Sequence, residues 1–296
     1  MYTQLIENFV EQESLPESYG QDAAQYFVPL AERIAALILK SKQPLFVGIN
    51  GAQGTGKTTL SKLLIQLLEA RDFNIASFSI DDFYLSKKER QELARTKHPL
   101  LITRGVPGTH DMALLQDTLS RLLTQQQGQF LTVPRFDKAL DDRAARADWK
   151  QVDGAVDAII LEGWCVAVTP QEAAALANPI NALEAEEDSE KGWREFVNSQ
   201  LADHYQSVFK QIQFLIMLKA PSFKQIFEWR KLQEEKLRRM SSLDASAIMN
   251  EEQLQRFIQH YERLTRHCLQ SLPENSDVLF ELDTSHQFAN ATGLDN

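Results

Sequence analysis

Cysteine is scarce: Cys165 and Cys268 are the two in 296 residues, and neither belongs to a C-x-x-C pair. A disulfide framework is thereby excluded, at most one bridge could form, and a reducing compartment is the expected setting. The six histidines show no H-E-x-x-H or comparable ligand spacing and no Ser/His/Asp order, which leaves no zinc site or hydrolase triad to propose. Cations are in deficit, 31 Lys and Arg against 41 Asp and Glu for a net charge of −10, and their clusters sit among acidic neighbours. Nucleic acid is therefore not an expected partner, because a phosphate backbone needs a basic face. Long apolar runs are missing as well. The longest such stretch, residues 155–169, contains Asp157 and Glu162 and is too short to span a bilayer. The acidic start, residues 1–8, has neither the charged-then-apolar order of a signal peptide nor the arginines of a transit peptide. The expectations that remain are no membrane partner, a cytoplasmic location and a small-molecule ligand; oligomeric state carries no signature.

Hydrophobic residues make up 43% of the chain, enough at this length to bury one large α/β core. Residues 51–58, Gly-Ala-Gln-Gly-Thr-Gly-Lys-Thr, spell the phosphate-binding pattern G-x-x-x-x-G-K-[ST]. Its flanks agree with it: Leu45-Phe46-Val47-Gly48-Ile49 reads as a buried strand, and Leu60, Leu63, Leu64, Leu67 and Leu68 form the apolar stripe of a helix. Gly51, Ala52, Gln53, Gly54, Thr55, Gly56, Lys57, Thr58 and Thr59 are thus the expected nucleotide-binding residues. Glycines let backbone N–H groups face phosphate oxygens, Lys57 reaches the β- and γ-phosphates, and Thr58 ligates Mg²⁺.

Further strands are expected at residues 74–80, 156–161, 212–218 and 278–282, separated by helical segments, which predicts a parallel sheet flanked by helices. Residues 1–43 read as an N-terminal helical extension with Phe27, Leu30, Ile34 and Leu37 or Ile38 on one face, closed by Pro44. The nucleotide-binding domain then covers 44–296. The stretch between the second and third strands exceeds an ordinary connection, so about 83–152 is read as a substrate-binding insertion. The acidic segment 181–195 reads as a surface loop.

Asp81 and Asp82 follow a strand parallel to the phosphate-loop strand, where a carboxylate can take the proton of an attacking hydroxyl. Asp81 is the candidate base; Asp82 either shares the site or caps the next segment. Glu162 ends the run Ala158-Ile159-Ile160-Leu161, at the position of an acid that holds metal-bound water. Residues 104–111, Arg-Gly-Val-Pro-Gly-Thr-His-Asp, favour a fixed loop in which Arg104 and His110 can meet a ligand. Arg135, Arg143 and Arg146 could pair with an anionic substrate or with nearby aspartates. On one helix Arg230, Glu234 and Arg238 share one row and Lys231, Glu235 and Arg239 another, behind Phe223, Ile226 and Phe227. Arg230 can swing over a triphosphate as a lid cation.

Together the phosphate loop, Ser79-Ile80-Asp81-Asp82-Phe83-Tyr84, residues 104–111, Val133-Pro134-Arg135-Phe136-Asp137-Lys138, Leu161-Glu162-Gly163-Trp164 and Trp229-Arg230-Lys231-Leu232-Gln233-Glu234 resemble the plant and fungal D-glycerate 3-kinase family and its bacterial relatives. That family lies among the uridine kinase, pantothenate kinase and phosphoribulokinase-like P-loop kinases. The resemblance spans most of residues 44–285 and implies a P-loop kinase fold with a helical lid at about 222–240. It also implies ATP with Mg²⁺, and D-glycerate as the preferred acceptor. Asp81 maps onto the base and Glu162 onto the metal-side acid; Lys57 and Arg230 complete the catalytic set. Asp82, Tyr84, Arg104, His110, Arg135, Asp137 and Arg146 are the implied acceptor-binding residues. The segment Ala139-Leu140-Asp141-Asp142-Arg143-Ala144 departs from the family by lacking a glycine. Other acceptors, a nucleoside or a pantothenate-like acid, and a nucleotide-dependent regulatory ATPase are the alternative readings. A GTPase switch is disfavoured by the lack of N-K-x-D.

Overall fold

The computed structural model describes residues 2–240 and 249–294, without the side chains of residues 233, 234 and 236–240. In chain order the described strands are β1 (Leu45–Gly51), β2 (Ile75–Ser79), β3 (Phe130–Val133), β4 (Phe136–Asp137), β5 (Asp142–Arg143), β6 (Lys150–Asp153), β7 (Ala158–Gly163), β8 (Phe214–Lys219), β9 (Val278–Leu282) and β10 (Phe288–Thr292). Six of them form one sheet in the order β10-β9-β8-β1-β7-β2. The five strands expected from apolar runs pair in parallel. β10 pairs antiparallel with β9 at the edge. Its sequence, Phe-Ala-Asn-Ala-Thr, is half exposed and has too little alternation to announce a strand; the short turn after Asp283 brings it into register.

β1 and β7 are buried along their whole length, as continuous apolar runs in a parallel sheet should be. Helix Lys57–Glu69 carries the chain from β1 past β7 to β2, burying Leu60, Leu63, Leu64, Leu67 and Leu68. The N-terminal helices Thr3–Gln12 and Val28–Lys40 share one apolar cluster with that helix and β1. Phe27 packs edge-on against Phe280 at 5.6 Å and Phe288 at 5.1 Å, and Lys62 pairs with Glu13 at 2.7 Å. The other face of the sheet carries a second cluster built around Phe78, Phe83, Trp164 and Tyr205.

Between β2 and β7 the chain makes two small ribbons, β3 with β6 and β4 with β5, beside helices Lys87–Thr96 and Met112–Thr124. The acidic segment 181–195 is not a surface loop. It forms helix Ala182–Glu187 and the start of helix Gly192–Gln200, with Leu183, Glu184, Asp188, Trp193 and Arg194 buried. Charged residues tolerate this because they are paired: Glu184 with Arg263 at 2.6 Å and Asp188 with Arg194 at 2.8 Å. No helix among the described residues is long and apolar enough to cross a membrane.

Candidate active site

The C-terminal ends of β1, β2 and β7 meet at one edge, and β7 register sets Glu162 opposite Ile49 and Ser79. From β1 the chain enters the phosphate loop, where Gly54 and Gly56 take φ of +81° and +87°, the left-handed region that a side chain disfavours. Gly51 ends β1 against Thr55 with no room for a Cβ. Thr55 Oγ1 donates to the Ala52 carbonyl at 2.9 Å, and both residues are buried inside the loop. Gln53, Gly54, Gly56, Lys57, Thr58 and Thr59 face a cavity of about 430 Å³. Loop amides and a helix N-terminus directed at one cavity make an anion site.

Thr58 Oγ1 donates to Glu162 Oε1 at 2.8 Å, and Lys57 Nζ stands 4.0 Å from Oε2. Glu162 is 6% exposed, yet its Oε2 has no hydrogen-bond partner. A buried carboxylate oxygen without a donor is costly, so a hydrated cation between Thr58 and Glu162 suits these residues. No cluster of three or more His, Cys, Asp or Glu is placed to hold a metal ion among the described residues. A cation here would need phosphate oxygens or water to complete its shell.

Asp81 and Asp82 lie in the short 3-10 turn Ile80–Phe83 after β2, and the turn sends them different ways. Asp82 folds back: its Oδ2 accepts from the Ser79 amide at 3.0 Å, and Phe136 N approaches Oδ1 at 3.5 Å. Burial raises its pKa. Asp81 faces the cavity, where Oδ1 accepts from the Tyr84 hydroxyl at 2.7 Å and Oδ2 from Lys138 Nζ at 2.8 Å. Burial pushes the Asp81 carboxyl up, but Lys138, Lys57 and the Tyr84 hydroxyl outweigh it and hold it at about 2. It is ionised at any ordinary pH.

The segment 104–111 is fixed, as its composition predicts, and residues 105–110 are buried. Trp164 Nε1 donates to the Gly105 carbonyl at 3.0 Å, Tyr261 to the Arg104 carbonyl at 2.8 Å, and the Gly108 amide to the Tyr205 hydroxyl at 3.0 Å. Gly105, at φ +133°, lies directly under the Tyr261 ring. His110 Nδ1 is 2.7 Å from the Tyr205 hydroxyl, and its ring stacks on Tyr84 at 4.6 Å. Burial depresses His110 to about 4, against a small opposing pull from Asp81. It is a neutral support behind Tyr84 and does not line the cavity.

Of the remaining acceptor-site candidates, Tyr84 and Arg104 reach the cavity wall. Arg104 is ion-paired with Asp141 and lies over the Phe136 ring. Arg135 and Arg146 are exposed and off the wall, the latter over the Trp149 ring at 5.4 Å. Asp137 Oδ1 is occupied by the amides of Ala139 and Leu140 at 2.9 and 3.1 Å. Arg143 bonds Asp111 at 3.0 Å. Helix Phe223–Met240 brings Arg230 to the cavity. Glu234, Arg238 and Arg239 lie outside the described side chains.

Several residues at the site had no signal in the sequence. Phe257 and Tyr261 reach the cavity from helix Glu251–Ser271. His286, in the β9–β10 turn, donates to the Gly54 carbonyl at 2.9 Å and stacks on Trp229 at 3.8 Å, tying the phosphate loop to the Arg230 helix. Lys138 is part of a motif quoted above, but nothing in one dimension points it at Asp81.

Residues 27–189 match the KAP family P-loop domain. The chain is 31% identical over 226 residues to the protein named "Uncharacterized kinase mug58" of Schizosaccharomyces pombe, covering 74% of this chain and 79% of that one. It is 32% identical over 227 residues to the chloroplastic D-glycerate 3-kinase of Arabidopsis thaliana, covering 74% of this chain and 46% of that protein, less than half its length. Among solved structures, the D-glycerate 3-kinase of Cryptococcus neoformans var. grubii superposes with a TM-score of 0.70 at 23% identity, over 88% of this chain and 98% of that one, and shares the fold.

Proposed function

The chain belongs to the KAP family P-loop domain and, by its relatives, to the small-molecule P-loop kinases, and from that premise we propose that it transfers the γ-phosphoryl group of ATP to a hydroxyl of D-glycerate. One observation carries the reading: an ionised carboxylate, Asp81, and the phosphate-loop lysine, Lys57, face the same cavity. An acceptor hydroxyl between them would have a proton acceptor on one side and the γ-phosphorus on the other. In a regulatory ATPase the same carboxylate would take its proton from water, so dependence of turnover on the acceptor separates the two readings.

Phosphate-loop amides and Lys57 bind the triphosphate, with Arg230 closing over it from its helix. The acceptor oxygen attacks the γ-phosphorus while Asp81 takes its proton; the new O–P bond forms as the bond to the β-phosphate oxygen breaks, and ADP leaves. Tyr84, hydrogen-bonded to Oδ1, holds the Asp81 carboxyl in place. Thr58 and Glu162 would hold Mg²⁺, whose charge offsets that of the phosphates. Arg104 and Lys138 put positive charge on the acceptor side of the cavity, which favours a carboxylate-bearing acceptor. The acceptor assignment also draws on the resemblance to D-glycerate 3-kinases.

ADP release measured with D-glycerate, glycerol, uridine and pantothenate in parallel tests the assignment. D-glycerate should support turnover and glycerol, which lacks the anion, should not. Turnover with uridine and none with glycerate would retain the kinase and discard the acceptor. Hydrolysis indifferent to every acceptor would favour the ATPase.

A further inference from the structure

Four cations line the cavity: Lys57, Arg104, Lys138 and Arg230. Lys57 and Arg230 belong to the phosphates in the reading above, and Arg104 is engaged by Asp141. Lys138 differs from Lys57, which stands near Glu162, and from Arg104 in its partner. It is paired at 2.8 Å with Asp81, the group that must later accept a proton.

The β4–β5 ribbon that carries Lys138 is held by contacts at its turn, residues 138–141, and at the strand ends beside it. Arg90, 2% exposed, donates to the Asp141 carbonyl at 2.7 Å and pairs with its carboxylate at 3.0 Å. Asp142 Oδ1 accepts from the Lys87 amide at 3.0 Å, and Arg143 holds Asp111. At the tip, Asp137 accepts from Ala139 and Leu140 and thereby fixes the bend that aims Lys138 at Asp81. The Lys138 side chain itself is 64% exposed, a flexible stem whose ammonium enters the cavity.

We propose that Lys138 is the anchor for the acceptor's carboxylate and that its transfer from Asp81 to the arriving anion is what frees Asp81 to act as base. The proposal rests on the kinase reading above and specifies how an anionic acceptor is chosen. With Lys138 on Oδ2 and Tyr84 on Oδ1, both oxygens of Asp81 are engaged, and its proton affinity is far from that of an efficient base near neutral pH. An incoming carboxylate offers Lys138 an equivalent partner, so the ammonium is never left bare, and Oδ2 is returned to the hydroxyl. A neutral acceptor offers no such exchange. Discrimination then appears in kcat as well as in KM, and water is a poor acceptor because Asp81 remains quenched in its presence. Lys57 and the Tyr84 hydroxyl still face Asp81 after the exchange, and Glu162 and Asp82 add negative charge nearby.

The test compares wild type, Lys138→Met and Lys138→Arg, with ADP release measured on D-glycerate, on glycerol and without acceptor. In Lys138→Met the KM for glycerate should rise by about 30-fold or more with KM for ATP within about twofold, and the glycerate-over-glycerol preference in kcat/KM should fall by about 100-fold. Acceptor-free hydrolysis should rise severalfold, and Lys138→Arg should keep most of the preference. An unchanged preference in Lys138→Met, or unchanged acceptor-free hydrolysis, would overturn the proposal while leaving wild-type glycerate turnover, and so the proposed function, intact. Equal weakening for ATP and glycerate with a lowered melting temperature would assign Lys138 a structural role and overturn it too. Wild-type turnover restricted to a nucleoside would overturn the anchor and discard glycerate as acceptor, while retaining the kinase. Wild-type preference for pantothenate over its alcohol, with none for glycerate, would discard glycerate, and loss of that preference in Lys138→Met would still sustain the anchor.

Discussion

Asp81 and Asp82 are neighbours in sequence with different surroundings, and the difference is testable. Asp81→Asn keeps the shape and removes the proton acceptor, so kcat should fall by on the order of 10² or more while stabilisation by ATP in a thermal melt persists. Asp82 caps the turn that presents Asp81. Asp82→Ala should therefore cost about 1 kcal/mol in urea unfolding, with activity reduced through position and not through proton transfer. If Asp82→Asn proved the more damaging to kcat, the assignment of the base would be reversed. Lys57→Ala should abolish turnover and weaken the ATP-induced rise in melting temperature. Glu162→Gln should shift a Mg²⁺ titration of activity to higher concentration, because an amide holds hydrated metal less well than a carboxylate.

At the scale of elements, two long helices line one side of the site. Helix Phe223–Met240 carries Arg230, and helix Glu251–Ser271 supplies Phe257 and Tyr261; Lys231 pairs with Glu251 between them at 2.8 Å. Arg230→Ala should lower kcat far more than it weakens nucleotide binding, since a lid cation acts mainly on charge that develops during transfer. The second helix is held in turn by the acidic segment, through Arg263 and the buried Glu184. Arg263→Met leaves that carboxylate without its partner and should cost about 3–5 kcal/mol of stability, read from urea unfolding. A loss within about 0.5 kcal/mol would mean that the pair is solvated in solution.

Across the whole molecule, the chain's two ends are joined. Arg33 lies over the Phe214 ring and donates to the carbonyls of Asp277 and Gly293, so the N-terminal helices brace the β9–β10 edge that reaches the phosphate loop through His286. Stability should also depend on pH through His110, which is buried neutral with a pKa of about 4. In the unfolded chain the imidazole binds a proton near its ordinary value of about 6.5. Its contribution is therefore complete above about 6.5 and is lost as pH falls from there toward 4, on the order of 3 kcal/mol in all. His110→Gln should flatten the plot of unfolding free energy against pH in this window by roughly one proton. An unaltered slope would assign the dependence to other groups such as His260, which burial also depresses.

The amino-acid sequence by itself determined the five parallel strands, the phosphate loop and the helix after it, because these rest on local rules: apolar runs, a 3.6-residue stripe and glycines where φ must be positive. It also marked Asp81 and Glu162, since a strand end is a position that one dimension can show. Tertiary structure decided what depends on distant partners. Composition made residues 181–195 look solvated, and pairing with Arg194 inside the segment and with the distant Arg263 let its acids be buried. Composition made Arg104, Arg135 and Arg146 equal candidates, and the fold paired the first with Asp141 and set the other two off the cavity wall. Lys138 meets Asp81 across a gap of more than fifty residues. Pairing of that kind follows from where the ribbon, the loop and the sheet come to rest, and the Coulomb energy that fixes a carboxyl at about 2 depends on a distance that no sequence spacing encodes.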